Sequence, residues 1–410
     1  MSRNIRLSPA DVLLAPLDAR ADERRSKNAP DVLLAATLVL LIGFGLVMVY
    51  SAGAAEAATR YHDGTYFLRR QGVYALSAIA LMFGVSMFDY HRIYKLTYPV
   101  LFCVAALLVV TLTGFGHSGG GAARWIAVGP VHIQPSELAK LSIVAWLAYS
   151  LSKKAEAVRD FSVGFLPHLL VAGVFMVLCL RQPDFGSAVV LLLLTFALLF
   201  LAGAKVGYIL GAGIIGSSIA AVLVVSKEYR AARMLAWRNM AEHKSDLAYQ
   251  PFQSVMSFGS GRVWGQGLGK GFQILFLPEA HTDFISAIVG EELGFVGMLC
   301  LIGAYVLIVG RGIRAAYRAP DDYGTYLAYG ISILFATQVL INLSVALAIL
   351  PTKGLTLPFM SYGGSSLLVN AVAAGILLNI SRQGPATEAA ESETPEPPAS
   401  AAKERNENWG

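Results

Sequence analysis

Leu277-Pro-Glu-Ala-His-Thr-Asp-Phe-Ile-Ser-Ala-Ile-Val-Gly-Glu-Glu-Leu-Gly-Phe-Val-Gly297 carries a long polar stretch into a hydrophobic one. The apolar run that follows, about 286–310, is long enough to span a bilayer, which takes about 20 residues. Asp283 stands at the junction, with His281 two residues before it. A carboxylate at the lip of a membrane can do acid–base chemistry on a substrate whose tail lies in lipid and whose head lies in water. Position alone favours a plainer role, an N-cap for the coming helix, because aspartate there accepts a bond from an orphan backbone N–H. The two roles pull against each other. Capping and the positive helix end stabilise the charged carboxylate and so weaken it as a base.

Working outward, the same alternation fills the chain. Of 410 residues, 55% are hydrophobic and only 14% charged. A soluble domain carries about a quarter charged residues, so the deficit marks a polytopic membrane protein. Ten apolar runs are expected to span, at about 33–53, 71–88, 98–115, 137–152, 163–180, 186–203, 206–225, 286–310, 324–350 and 364–381. Ala-Ala-Glu-Ala after the first run loosely mimics a cleavage site, but that run is too extended for a cleaved signal peptide. The expected fold is therefore all-α, with a large extracytoplasmic loop, 226–285, between helices 7 and 8. Residues 1–31 read as a basic cytoplasmic tail, 32–382 as the ten-helix domain and 383–410 as a disordered cytoplasmic tail rich in Pro, Ala, Glu and Ser. Lys and Arg in the short loops (Arg92/Lys95, Lys153/Lys154/Arg159, Lys205, Arg311/Arg314/Arg318) fall on one side, which places both termini in the cytoplasm.

The net charge of +5 comes with no basic motif interleaved with aromatics, so it suits anionic headgroups and not nucleic acid. Cys103, Cys179 and Cys300 all lie in apolar runs, with no CxxC pair and no cysteine–histidine cluster, so no metal-ligating set is read.

The outer loops hold the remaining chemistry. Loop 116–136 leads into Glu137 and Lys140, three apart on one helix face and able to pair at the membrane boundary. An inert structural pair and a substrate contact both fit them. In the turn 181–185, Asp184 is read as a helix cap. Gly259-Ser-Gly-Arg-Val-Trp-Gly-Gln-Gly-Leu-Gly-Lys-Gly-Phe272 is not a phosphate-binding P-loop: Trp264 stands where that motif needs glycine, and Gly271 where it needs Ser or Thr. A flexible loop letting backbone approach a ligand remains open. Leu350 to Leu367, with Lys353, Ser361 and Ser365, suits a broken or re-entrant segment. Glu291 and Glu292 lie inside a span, so at least one is expected to be buried in the bundle.

These outer-loop motifs give the chain its likeness. Phe67-Leu-Arg-Arg-Gln, Arg124-Trp-Ile, Gln134-Pro-Ser-Glu-Leu-Ala-Lys140, Gln182-Pro-Asp-Phe-Gly186, Tyr249-Gln250, Leu277 to Gly297 and Leu350 to Ser366 resemble, in order, the SEDS family (shape, elongation, division and sporulation), peptidoglycan glycosyltransferases of the bacterial inner membrane. Pro351-Thr-Lys-Gly and Leu277 to Asp283 look more like the division branch, FtsW, than the elongation branch, RodA. The resemblance implies lipid II as substrate, glycan polymerisation as reaction, Asp283 as the essential acid, and a class B penicillin-binding protein and other division proteins as partners at the septum. It makes Arg124, Lys140, Lys270 and Lys353 candidates for the donor's phosphates, with Glu137 fixing Lys140. His281, Thr282, Ser361 and Ser365 complete the candidate substrate site. No cofactor is implied with certainty; a divalent cation, Mg or Mn, is the candidate. Ser286, Ala346-Leu-Ala-Ile and the stretch 239–248 depart from the family pattern. A lipid II flippase is the rival reading, and it would need ionisable groups along the path to the inner face, where the sequence has few.

Overall fold

The computed structural model describes residues 30–113, 117–119, 122–129, 131–226 and 228–383. Of the expected tails 1–31 and 383–410, all but residues 30, 31 and 383 lie outside the described residues. The long elements are α1 (Val32–Tyr61), α2 (Tyr66–Met87), α3 (His91–Val110), α4 (Pro135–Lys153), α5 (Leu166–Arg181), α6 (Phe185–Leu201) and α7 (Val206–Val225). They continue through α8 (Glu228–Arg238), α9 (Tyr249–Gly261), α10 (Ile285–Tyr317), α11 (Asp322–Ala346) and α12 (Gly364–Arg382). Among the described residues, six helical segments are long and apolar enough to cross a membrane, and the helices at Phe185–Leu201 and Val206–Val222 are apolar but shorter. Helices α2 and α4, polar at their starts, run alongside them; α2 packs on α12, and α4 on α3 and α11.

Apolar side chains set the packing. Leu34, Leu38, Ile42, Met48 and Val49 of α1 and Leu327, Ile331 and Phe335 of α11 are among the buried core. Burying an aliphatic side chain against neighbours of this kind is worth about 1.5–3 kcal/mol in water. In lipid that driving force is absent, and close packing with interhelical hydrogen bonds replaces it. Buried glycines fit this. A Cβ on Gly330 would stand 2.5 Å from Val144 of α4, and one on Gly312 would stand 2.1 Å from Ser332.

The loops hold structure that their composition does not announce. Within 116–136, β1 (His117–Gly119), β2 (Ala122–Val128) and β3 (Val131–Ile133) form a small antiparallel sheet, with Ala127 opposite His132. Part of the stretch 226–285 turns back into the bundle. Along α9, Ser254 donates to the Ala346 carbonyl (2.6 Å), and a Cβ at Gly261 would collide with the Gly290 carbonyl. The following loop inserts against a break in α10 at Gly294, whose φ of 64° and ψ of −161° only glycine tolerates. There the Phe295 and Val296 N–H groups donate to the Arg262 and Val263 carbonyls, and the Gln266 and Gly267 N–H groups to the Glu291 and Glu292 carbonyls. The broken helix thus has its orphan groups satisfied, which backbone at membrane depth requires. Gly294 lies about 14 Å below the start of α10 at 1.5 Å per residue.

Burial in the stretch 350–367 is in line with the re-entrant reading. Leu355, Leu357, Phe359 and Met360 are buried, and Tyr305 of α10 donates to the Pro358 carbonyl (2.6 Å). Gly45 of α1 makes room: a Cβ there would meet the Phe359 carbonyl at 2.7 Å.

Candidate active site

Asp283 ends the segment Leu277–Phe284, which is held by backbone and by one asparagine. Glu279 takes φ 57°, and its carbonyl accepts from the Thr282 and Asp283 N–H groups (3.2 and 3.1 Å). Asn342 of α11 donates to the carbonyls of both Asp283 (2.9 Å) and Leu355 (2.7 Å), tying the catalytic candidate to the re-entrant segment. Ser286, one of the departures from the family pattern, is fully buried and donates to Asn342 Oδ1 (3.1 Å). Sequence reading missed Asn342, which with Gln338 is one of two amides in a long apolar run; a buried amide in such a run is the signal that could have found it.

The expectation that Asp283 caps α10 is overturned. The N-cap is Phe284, with no side-chain cap bond, and among the described residues no donor bonds the Asp283 carboxylate. Asp283 falls one residue short of the capping position. Asp184, by contrast, caps α6 as expected, its Oδ1 accepting from the Ser187 N–H (3.0 Å) and its Oδ2 from the Ser187 hydroxyl (2.8 Å).

Without those donors, burial pushes the Asp283 carboxyl up to about 7, the negative Glu279 adds to the rise, and Arg124 opposes it. Its side chain is half-buried, and a Cβ at Gly354 would stand 2.8 Å from its Oδ2. A carboxyl poised near neutrality is suited to proton transfer.

Arg124 of β2 reaches across from the sheet. Its Nε donates to the Gln182 carbonyl (3.1 Å) and its terminal nitrogen to the Pro183 carbonyl (2.6 Å), which binds the sheet to the turn before α6. Lys353, next to Gly354, lies over the Phe185 ring at 4.5 Å. Arg124 and Lys353 thus come to the Asp283 side of the molecule. His281 is buried and turned away: it stacks on Phe67 (4.4 Å), and its Nδ1 lies 3.5 Å from Glu56. Burial lowers its pKa while Glu56 and Glu279 pull upward. The Thr282 hydroxyl donates to Glu279 (2.9 Å) and so orients that second carboxylate.

Other candidates are structural ties. Lys140 is 1% exposed and donates to Glu137 Oε1 at 2.7 Å, which is the paired reading of these residues. Ser361 accepts from the Leu357 N–H (2.8 Å) within the re-entrant turn, and Ser365 donates to the His132 carbonyl of β3. Lys270 is exposed on the glycine-rich loop, its stem over Gly267, and among the described residues no contact joins it to Asp283. The structure does not bring it to the cluster. An open apolar recess of about 610 Å³ between α6 and α7, lined by Phe196, Ile209 and Ile214 among others, has no titratable group in its lining.

Comparison with known proteins identifies the family. Residues 31–385 match the sequence profile of the FtsW/RodA/SpoVE family, described as cell cycle proteins. The chain is 44% identical over 353 residues to the probable peptidoglycan glycosyltransferase FtsW of Trichlorobacter lovleyi, covering 86% of this chain and 93% of that one. It is 39% identical over 359 residues to the stage V sporulation protein E of Bacillus subtilis, covering 87% and 98%. Among solved structures it is similar to a chain of a peptidoglycan synthase complex that coordinates polymerization and crosslinking, with a TM-score of 0.70 at 28% identity over 86% and 98%. It is also similar to the rod shape determining protein RodA of Thermus thermophilus, with a TM-score of 0.64 at 29% identity over 86% and 97%.

Proposed function

The chain belongs to the FtsW/RodA/SpoVE family of cell cycle proteins, and from that premise we propose that it is a peptidoglycan glycosyltransferase polymerising lipid II, with Asp283 as general base. The observation that carries the proposal is the Asp283 carboxyl, uncapped and without a donor, held near 7 at the end of a buried segment.

In the proposed step, Asp283 takes the proton of the 4-hydroxyl of the acceptor GlcNAc as that oxygen attacks the anomeric carbon of the donor MurNAc. The bond from that carbon to undecaprenyl pyrophosphate breaks on the opposite face, so configuration inverts. The leaving pyrophosphate is already a stable anion and needs no proton from a second acid. Its charge is met first by Arg124 and Lys353, whose side chains approach this region. Lys140, sealed against Glu137, is left to hold the start of α4. Among the described residues no group of three or more His, Cys, Asp or Glu is arranged to hold a metal ion. A divalent cation, Mg or Mn, would therefore be held in part by the substrate's own phosphates.

The multi-pass bundle fits an inner-membrane protein with the site face outward and both termini in the cytoplasm, working at the division septum. A class B penicillin-binding protein would crosslink the product, in keeping with the synthase complex that this chain resembles.

The test compares polymerisation of fluorescent lipid II by the native protein, with its cognate transpeptidase, against Asp283→Asn. Asparagine keeps the size and an acceptor oxygen but cannot take the proton. Loss of polymer by at least about 100-fold is expected from removal of a general base. Full activity in a correctly inserted variant would sink the assignment. No polymer from the native protein, with lipid II crossing sealed vesicles, would point to transport.

A further inference from the structure

The glycine-rich loop that fails as a phosphate loop has backbone donors directed at a different acid. Glu291 and Glu292 are 1% and 0% exposed, and both carboxylates face that loop. Glu291 Oε1 accepts from the Phe272 and Gln273 N–H groups at 2.7 and 3.0 Å. Glu292 Oε1 accepts from the Ser51 hydroxyl of α1 at 2.5 Å. The end of the glycine-rich loop therefore holds the chain's own Glu291 carboxylate where a P-loop would hold phosphate.

These bonds have a topological consequence. Gln273 and Glu291 are the two ends of the segment that carries His281, Thr282 and Asp283, and the Glu291 side chain joins them. Inside that closed loop, Leu277, Ala280 and Phe284 are buried, but the Asp283 carboxylate itself has no donor holding it. Its place and its degree of burial depend on the loop staying shut.

We propose that Glu291 is a positioning residue for glycosyl transfer, closing the neck of the loop 273–291 and so keeping Asp283 in its half-buried place. This rests on the role of Asp283 as base. Removal of the carboxylate strands two backbone N–H groups and opens the neck to water. Asp283, still faced by Glu279 and Arg124, is then better solvated and becomes a weaker base.

The experiment is the pH dependence of kcat/KM for lipid II polymerisation by the full chain with its transpeptidase, in nanodiscs, for native protein, Glu291→Gln and Glu291→Ala. Glutamine keeps Oε1 as an acceptor for both N–H groups. The native protein is expected to show an acid limb near pH 7. Glu291→Gln should leave that limb in place with activity within a few-fold. Glu291→Ala should move it at least about one pH unit lower and reduce kcat at least about tenfold, with KM changing less. An unmoved limb in a folded Glu291→Ala protein, or a glutamine variant as impaired as alanine, overturns the proposal. If Glu291→Ala does not accumulate, Glu291→Asp carries the test, because a side chain one methylene shorter withdraws its oxygens from the Phe272 and Gln273 N–H groups. An unshifted limb there overturns it equally. Full activity in Asp283→Asn sinks the base and the positioning role together. A limb that is present but indifferent to the neck sinks the positioning role alone.

Discussion

Replacement of Lys140 by methionine should destabilise this protein more than loss of a surface charge ever does. The Lys140 ammonium lies 2.7 Å from Glu137 Oε1, with side chains 1% and 5% exposed. At that separation and an effective dielectric of about 20, the attraction is about 6 kcal/mol. Desolvation costs several kcal/mol for each ion, so the intact pair is close to neutral in net terms. Glu137 Oε2 has no partner at all, which removes any margin. Methionine fills the lysine's volume but leaves Glu137 buried and unpaired, and breaking such pairs costs about 3–5 kcal/mol. At roughly 2 °C per kcal/mol, the low end for large domains, the thermal midpoint should fall by about 6–10 °C. Scanning fluorimetry of native, single and double variants in one detergent at one scan rate measures it. The double variant Glu137→Gln/Lys140→Met removes both charges and should recover most of the loss. A single variant within about 1 °C of native, or a double variant as unstable as the single, would refute the argument that the pair is sealed from water.

Two other outcomes follow from the site. If Asp283 is the base we propose, polymerisation should lose activity as pH falls through about 7, because the proposed role needs its carboxylate unprotonated. Because Glu279 raises that value, Glu279→Gln should move the acid limb to lower pH, and a limb that stays put or moves up would break the link between them. The same shift sets a stability cost. The folded carboxyl binds its proton more tightly than the unfolded one, so a contribution of roughly 4 kcal/mol is fully present below about pH 4 and is lost as pH rises to about 7. Separately, Gly294→Ala should lower the thermal midpoint and activity together. It forces an L residue to φ 64° with a Cβ 2.3 Å from the Gly265 nitrogen, worth at least about 1–3 kcal/mol of strain, so an unchanged midpoint would show that the break in α10 relaxes freely.

The helical, polytopic character was legible because lipid leaves a coarse signature in runs of about 20 apolar residues. Of the ten expected spans, six coincide with long apolar helices and two with shorter ones among the described residues. What the sequence hid is backbone that enters the bundle without being a span. α9 is only 13 residues, and the loop after it is polar enough to read as exposed. Nothing in that composition says that its carbonyls meet the N–H groups of a broken helix. Partial signals were there in Gly294 and in four alternate glycines from Gly265 to Gly271, but a glycine shows where backbone can bend and not what it will approach. At least one of Glu291 and Glu292 was expected inside, on the cost of charge in lipid, and both are buried. The partners of Glu291 lie 18 and 19 residues upstream in a segment assigned to water, and that of Glu292 lies on α1.

The aspartates that precede helices give the sharpest contrast. Asp31, Asp160, Asp184 and Asp321 each accept from a backbone N–H two or three residues on, and each fills the N-cap. Such a carboxylate is stabilised in its charged form, which makes it a good anchor and a poor base. Asp283 has the same chemistry and nearly the same setting, yet stands one residue further from its helix, with Phe284 in the capping place. That single-residue offset removes the donors while the burial remains. Glu279, at φ 57°, turns the chain so that Asp283's own N–H is satisfied locally and its carbonyl by Asn342, so the backbone is anchored and the carboxylate is not. Sequence position could not separate these cases, since the register of the first turn is decided by φ at Glu279 and by the amide on α11. The physical difference between a cap and a base is therefore a matter of one residue of register, set by contacts nearly 60 positions away.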